Sequence, residues 1–117
     1  MRLLSLLFVF LLTLSVAPLA ADARSDAKKQ VEFGIAVSQR GLWREAIYRW
    51  ERAAQIDPTY AAAHNNLAIA YEHEGELDKA RAAYEKAIQL EPNNTFIKQN
   101  YELFKEINDR TTRPDTQ

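Results

Sequence analysis

The 117-residue chain contains no cysteine, which excludes disulfide bridges, thiolate metal sites, thiol nucleophiles and a lipid-modified N-terminal cysteine. Glycine is nearly as scarce, at 3 residues, and none belongs to a glycine-rich loop of the kind that cradles phosphate. The 2 histidines lie in no metal-ligand spacing and pair with no nucleophile. Charge of one sign is missing as well: 15 basic against 16 acidic residues give a formal charge of -1, with no general bias toward nucleic acid or anionic lipid. The reading is therefore of a protein that is no enzyme, with no catalytic residue, no metal and no cofactor. Stability has to come from packing alone.

The long apolar run is confined to the start. Arg2, the apolar stretch 3–16 and the small residues Ala21, Asp22 and Ala23 follow the layout of a secretory signal peptide. Cleavage is expected before Arg24, with Asp22 as the alternative first residue, so that residues 1–23 are a leader and the remainder is exported, to a periplasm or an extracellular space. An uncleaved membrane anchor is the alternative, because residues 3–21 at about 1.5 Å each just cross a hydrocarbon core of roughly 30 Å.

Beyond the leader the pattern is helical, and strand signals are lacking. Gly41 and Gly75 lie 34 positions apart, as do Pro58 and Pro92. Aligning residues 27–60 on 61–94 matches Ala27, Ile35, Ala36, Gly41, Ala46, Glu51, Ala53, Gln55 and Pro58 with identical partners. Small side chains let helices approach closely, so Gly34/Ala68, Ala46/Ala80 and Ala53/Ala87 mark helix contact lines. The glycines suit left-handed positions at helix ends, and the prolines suit helix starts. Phe33, Trp43, Trp50 and Ile56, then Leu67, Tyr71, Leu77, Tyr84 and Leu90, are the expected inward bulk.

Leu67, Ala68, Tyr71, Gly75, Leu77, Ala80, Tyr84, Ala87 and Pro92 follow the pattern of the tetratricopeptide repeat (TPR) family, which this sequence resembles from residue 27 to about 108. The first copy departs from that pattern at Val37, Trp43 and Trp50. The resemblance implies an all-α, right-handed α-solenoid of two helix-turn-helix units, residues 27–60 and 61–94, with a concave groove for peptides or proteins. Helices are expected at 25–40, 43–55, 60–74, 77–90 and 94–108. The last, within a cap at 95–109, turns Ile97, Tyr101 and Phe104 inward. Lys98, Glu102, Lys105 and Asp109 face water, because burying them unpaired would cost several kcal/mol each. The domain is thus read as 24–109 and residues 110–117 as a flexible tail.

Function in such a fold is expected on the first helix of each unit. The groove candidates are Val31, Ile35, Gln39, Asn65, Asn66, Ile69, Glu72, His73, Phe96, Gln99 and Leu103, with Ser38 and Ala62 beside them. Their aliphatic and aromatic members suit an amphipathic helix or apolar peptide, and their amides suit its backbone. A subset of the resembled family clamps a terminal carboxylate with cations and asparagines. The matching positions here hold Val31, Ile35, Asn66, Phe96 and Asn100, and without cations that specificity is not expected. Glu72, His73, Glu74, Glu76 and Asp78 crowd one turn, but His73 shares its helix face with Ile69, Ala70 and Leu77. The implied role is that of a protein-binding adaptor or assembly factor whose partner is a protein or peptide, not nucleic acid, and not a membrane once the leader is removed. A structural subunit of an envelope complex, docking through its convex face or an uncleaved anchor, is the alternative. The first unit is the more basic and the second the more acidic, so weak self-association is a lesser expectation.

Overall fold

The computed structural model describes residues 17–112, which form five α-helices: α1 (Ala17–Ser38), α2 (Trp43–Ile56), α3 (Ala61–His73), α4 (Leu77–Leu90) and α5 (Thr95–Thr112). The described residues contain no strand, and the architecture is an all-α helical solenoid. The most extensive contacts are between α1 and α2 and between α3 and α4; α2 then packs on α3, and α4 on α5. Of the leader expected over residues 1–23, residues 1–16 lie outside the described residues, and residues 17–23 form the first turns of α1. Pro18 stands in the first turn of α1, where a missing amide proton is harmless. Two expected boundaries move: α1 starts at Ala17, and α5 continues to Thr112 into the stretch read as tail. Among the described residues no helix is long and apolar enough to cross a membrane.

The small-residue seams are where the repeat places them. Ala46, Ala53, Ala68, Ala80 and Ala87 are all 0% exposed, so paired helices meet nearly backbone to backbone. Two large rings at equivalent positions, Trp50 and Tyr84, fill what the alanines leave open. Trp50 Nε1 donates to the Val31 carbonyl at 3.0 Å, while the Tyr84 hydroxyl donates to Glu72 Oε2 at 3.1 Å. Burial, reinforced by the Glu72 carboxylate, pushes the Tyr84 phenol above its ordinary range.

Both units close their first helix in the same way. Gly41 and Gly75 have φ of 77° and 75°. The Leu42 and Glu76 amides reach back to the carbonyls of Val37 and Tyr71, and the glycine amides to Ser38 and Glu72. These paired bonds are the Schellman arrangement. Nothing stands within 4 Å of a Cβ added at either glycine, so Gly41→Ala and Gly75→Ala incur only the left-handed strain. Each is expected to lower stability by about 1–2 kcal/mol, read by urea unfolding. A neutral result at both would contradict the turn geometry.

The loops into α3 and α5 differ. Asn94 caps α5, its Oδ1 accepting from the amides of Phe96 and Ile97 at 3.1 and 3.2 Å. Asp57 accepts from Thr59 instead, and Arg24 Nε reaches Asp57 Oδ2 at 2.6 Å, with its guanidinium over the Tyr60 ring. Burial alone would raise the Asp57 carboxyl, but the bonds from Thr59 and Arg24 hold it below its ordinary value.

Two residues expected inside lie outside. Phe33 is 48% and Leu77 40% exposed. Leu77 opens α4 at the end of the helical pair. Phe33 lies on a side of α1 that no other described helix covers, with the Arg49 guanidinium 4.2 Å from its ring centre.

Candidate functional site: the first-helix ridge

Residues 34 apart take the same place on α1, α3 and α5, so Ile35, Ile69 and Leu103 form one row across the stack. Ile35 is 40% and Leu103 56% exposed; Ile69 is partly buried against the cluster of Ala68, Tyr84 and Phe104. Phe96, two helical turns before Leu103, is 62% exposed. Ile107, equivalent to Gln39 and His73, is 50% exposed beside Leu103. It was missed because its two counterparts are polar; adding 34 to His73 would have found it.

Three candidates are corrected. Val31 is 4% exposed and belongs to the core with Trp50. It lies three residues before Gly34 on the helix side that meets α2, so it cannot face a groove. Asn65 is 3% exposed and accepts a hydrogen bond from Asn100 Nδ2 at 3.2 Å, tying α3 to α5. A buried amide needs such a partner, and its bond is spent inside the fold. Glu72 is committed to Tyr84, as described above.

His73 is half exposed and stacks on Trp43, with ring centroids 4.2 Å apart and planes at 21°. Trp43 is therefore partly buried between the core cluster and His73, not full core. Gln39 and Gln99 are exposed, and Asn66 is half-buried. The described residues hold no group of three or more potential metal ligands. Two surface hollows lie away from the ridge. One, of about 450 Å³, is charged and lies along α5 between Glu102 and Arg110. The other, of about 480 Å³, lies by Leu42, Trp43 and Glu74. The apolar ridge is formed by exposed side chains on successive helices, an arrangement that suits a macromolecular ligand better than a small one.

A family model described as Tetratricopeptide repeat matches residues 61–94, and a second, described as TPR repeat, matches residues 36–75. The chain belongs to the tetratricopeptide repeat family. Type IV pilus assembly protein PilF of Pseudomonas aeruginosa is 31% identical over 86 residues, 72% of this chain and 34% of that protein. The chloroplastic tetratricopeptide repeat domain-containing protein PYG7 of Arabidopsis thaliana is 30% identical over 85 residues, 73% of this chain and 28% of that protein. Protein O-mannosyl-transferase TMTC4 of Mus musculus is 36% identical over 64 residues, 55% of this chain but 9% of that protein. The TPR chain thus spans a third or less of these relatives' length. TPR units generally mediate protein–protein interaction, and the fold is typically a non-catalytic interaction module.

Proposed function

We propose that this TPR chain is a non-catalytic adaptor or assembly factor that holds an amphipathic helix or apolar peptide of a protein partner on the ridge of α1, α3 and α5. The observation that carries this reading is the exposure of Ile35, Phe96, Leu103 and Ile107 on equivalent or neighbouring positions of first helices. Exposed apolar side chains gathered on one face mark interaction surfaces more often than scattered ones do. The amides of Gln39, Asn66 and Gln99 flank them and can bond a ligand backbone. That PilF is a pilus assembly protein agrees with an assembly role. The leader layout of residues 1–23 supports action outside the cytoplasm, and a chain cut before Arg24 keeps that residue's bonds to Asp57 and Thr59.

The test uses Phe96→Asp with Leu103→Asp. Both residues are mostly exposed, so the fold should survive, whereas a charge at the partly buried Ile69 would disturb the core. A partner recovered from the cell envelope with the native protein is expected to bind the double variant at least about 30-fold more weakly, the effect of losing one interface hot spot of roughly 2 kcal/mol. Unchanged affinity in a variant of native helix content would sink the ridge reading.

A further inference from the structure

Leu67 and Ala70 on α3 are 6% and 0% exposed, packed beneath α2. Their counterparts 34 residues earlier are Phe33 and Ala36, and both are exposed. The first unit therefore presents the surface that the second unit buries under a neighbouring helix. The far end of the stack is treated differently. There α5 turns Lys98, Glu102, Lys105 and Asp109 outward, with ion pairs from Lys105 to Glu102 at 2.8 Å and from Arg81 to Asp109 at 3.4 Å. Among the described residues, one end of the solenoid is closed by charge, and the other is open over an aromatic ring. Head-to-tail stacking would press Phe33 onto those charges, and desolvating them opposes it.

We propose that the open face of α1 is an isologous interface: a second copy of this chain packs against it antiparallel, about a two-fold axis beside Phe33. The charges select this occupant. Asp26 and Arg40 lie seven residues before and after Phe33; Asp26 is two helical turns away on the same side of α1, and Arg40 stands in the turn that closes that helix, its amide bonded to the Val37 carbonyl. An antiparallel two-fold partner centred on residue 33 sets each Asp26 opposite the other copy's Arg40, giving two opposite-charge pairs around an aromatic centre. The pairing is available because Asp26 is held only by Lys29, at 3.4 Å, with both side chains more than half exposed. Ala36 leaves room beside the ring, as Ala70 does beside Leu67. Arg49, pinned to Glu45 at 3.0 Å, covers one side of the Phe33 ring and becomes the rim of the contact. The contact is one helix side centred on a single ring, so the dimer is expected to be weak and concentration-dependent. It leaves Phe96 and Leu103 free, so both ridges of a dimer can be occupied together.

Sedimentation velocity on the full chain, from low micromolar concentration upward, tests this. The expected result is a monomer–dimer equilibrium that Phe33→Asp abolishes while helix content stays native. Arg40→Asp should weaken the dimer at least about tenfold, and adding Asp26→Arg in the same chain should restore it, since the two-fold places the exchanged charges opposite each other again. A monomer at every concentration would overturn the proposal, as would a self-association that persists in Phe33→Asp. Association lost in Phe96→Asp/Leu103→Asp but kept in Phe33→Asp would also overturn it, because the two copies would then be meeting through the ridge.

Discussion

Gly34→Ala is expected to destabilise the protein by about 2 kcal/mol net, although alanine is the better helix former. A glycine in a helix interior ordinarily loses roughly 0.5–1 kcal/mol against alanine, so the substitution would be stabilising if the site were open. It is not open: a Cβ there would stand 2.3 Å from Trp50 Nε1 and 2.7 Å from Cδ1. The ring cannot retreat freely, because Nε1 is bonded to the Val31 carbonyl and the side chain is 3% exposed. Overpacking costs about 1–3 kcal/mol, and a stretched or broken buried hydrogen bond adds roughly 1 kcal/mol; together they exceed the helix gain. For a domain of this size each kcal/mol moves Tm by about 4–8 °C. Thermal unfolding should therefore show a fall of roughly 10 °C or more. Trp50→Phe, which removes the indole nitrogen, is destabilising by itself, yet Gly34→Ala should cost less in its presence than alone, because the two sites share one volume. Equal or higher stability of Gly34→Ala in the native background would show that Trp50 does not sit on Gly34.

Phe104→Ala should be the more damaging change, at about 3–5 kcal/mol. Phe104 is 1% exposed and is packed with Ala68, Ala80 and Tyr84, its ring 5.3 Å from that of Tyr84 and 6.2 Å from that of Tyr101. It is the main anchor of α5 on the second unit, with Ile97 the other at 2% exposed. Removing it opens a void between α3, α4 and α5, and among the described residues no further helix packs on α5 to hold it in place. Amide exchange in α5 should accelerate before that in α1 and α2, since terminal elements with few contacts open first. Leu103→Ala, one residue away and 56% exposed, is the control and should stay within about 0.5 kcal/mol. If the two variants unfold together, α5 is not the packed cap described here. The ridge would then lose Phe96, Leu103 and Ile107 as well, which ties the binding reading to the integrity of the cap.

The same residues show how far the amino-acid sequence reaches. Helix positions, the glycine turns and the alanine seams were all legible, because each rests on a local rule: Gly41 and Gly75 on the left-handed φ, Ala46 and Ala80 on side-chain size. The cap was legible from alternating inward aromatics and outward charges in α5. The candidate ridge was legible only in part. Ile35, Phe96 and Leu103 are exposed as expected, but Val31 was assigned to the groove by counting positions, and the bulk of Trp50 against Gly34 draws it inside. Asn65 was read as a ligand contact, although Asn100, 35 residues away, accounts for its hydrogen bond. Such a pairing leaves no mark in a window the length of one helix.

From the sequence alone, the chain's identity as a TPR solenoid followed, since the 34-residue spacing of breakers and small residues requires each helical pair to bury its face on the next. Tertiary structure alone decided which repeated residues are core and which are surface. Phe33 and Leu67 occupy one place in the repeat, yet one is 48% and the other 6% exposed. Burial belongs to the neighbour that covers a residue, and among the described residues no helix covers Phe33 as α2 covers Leu67.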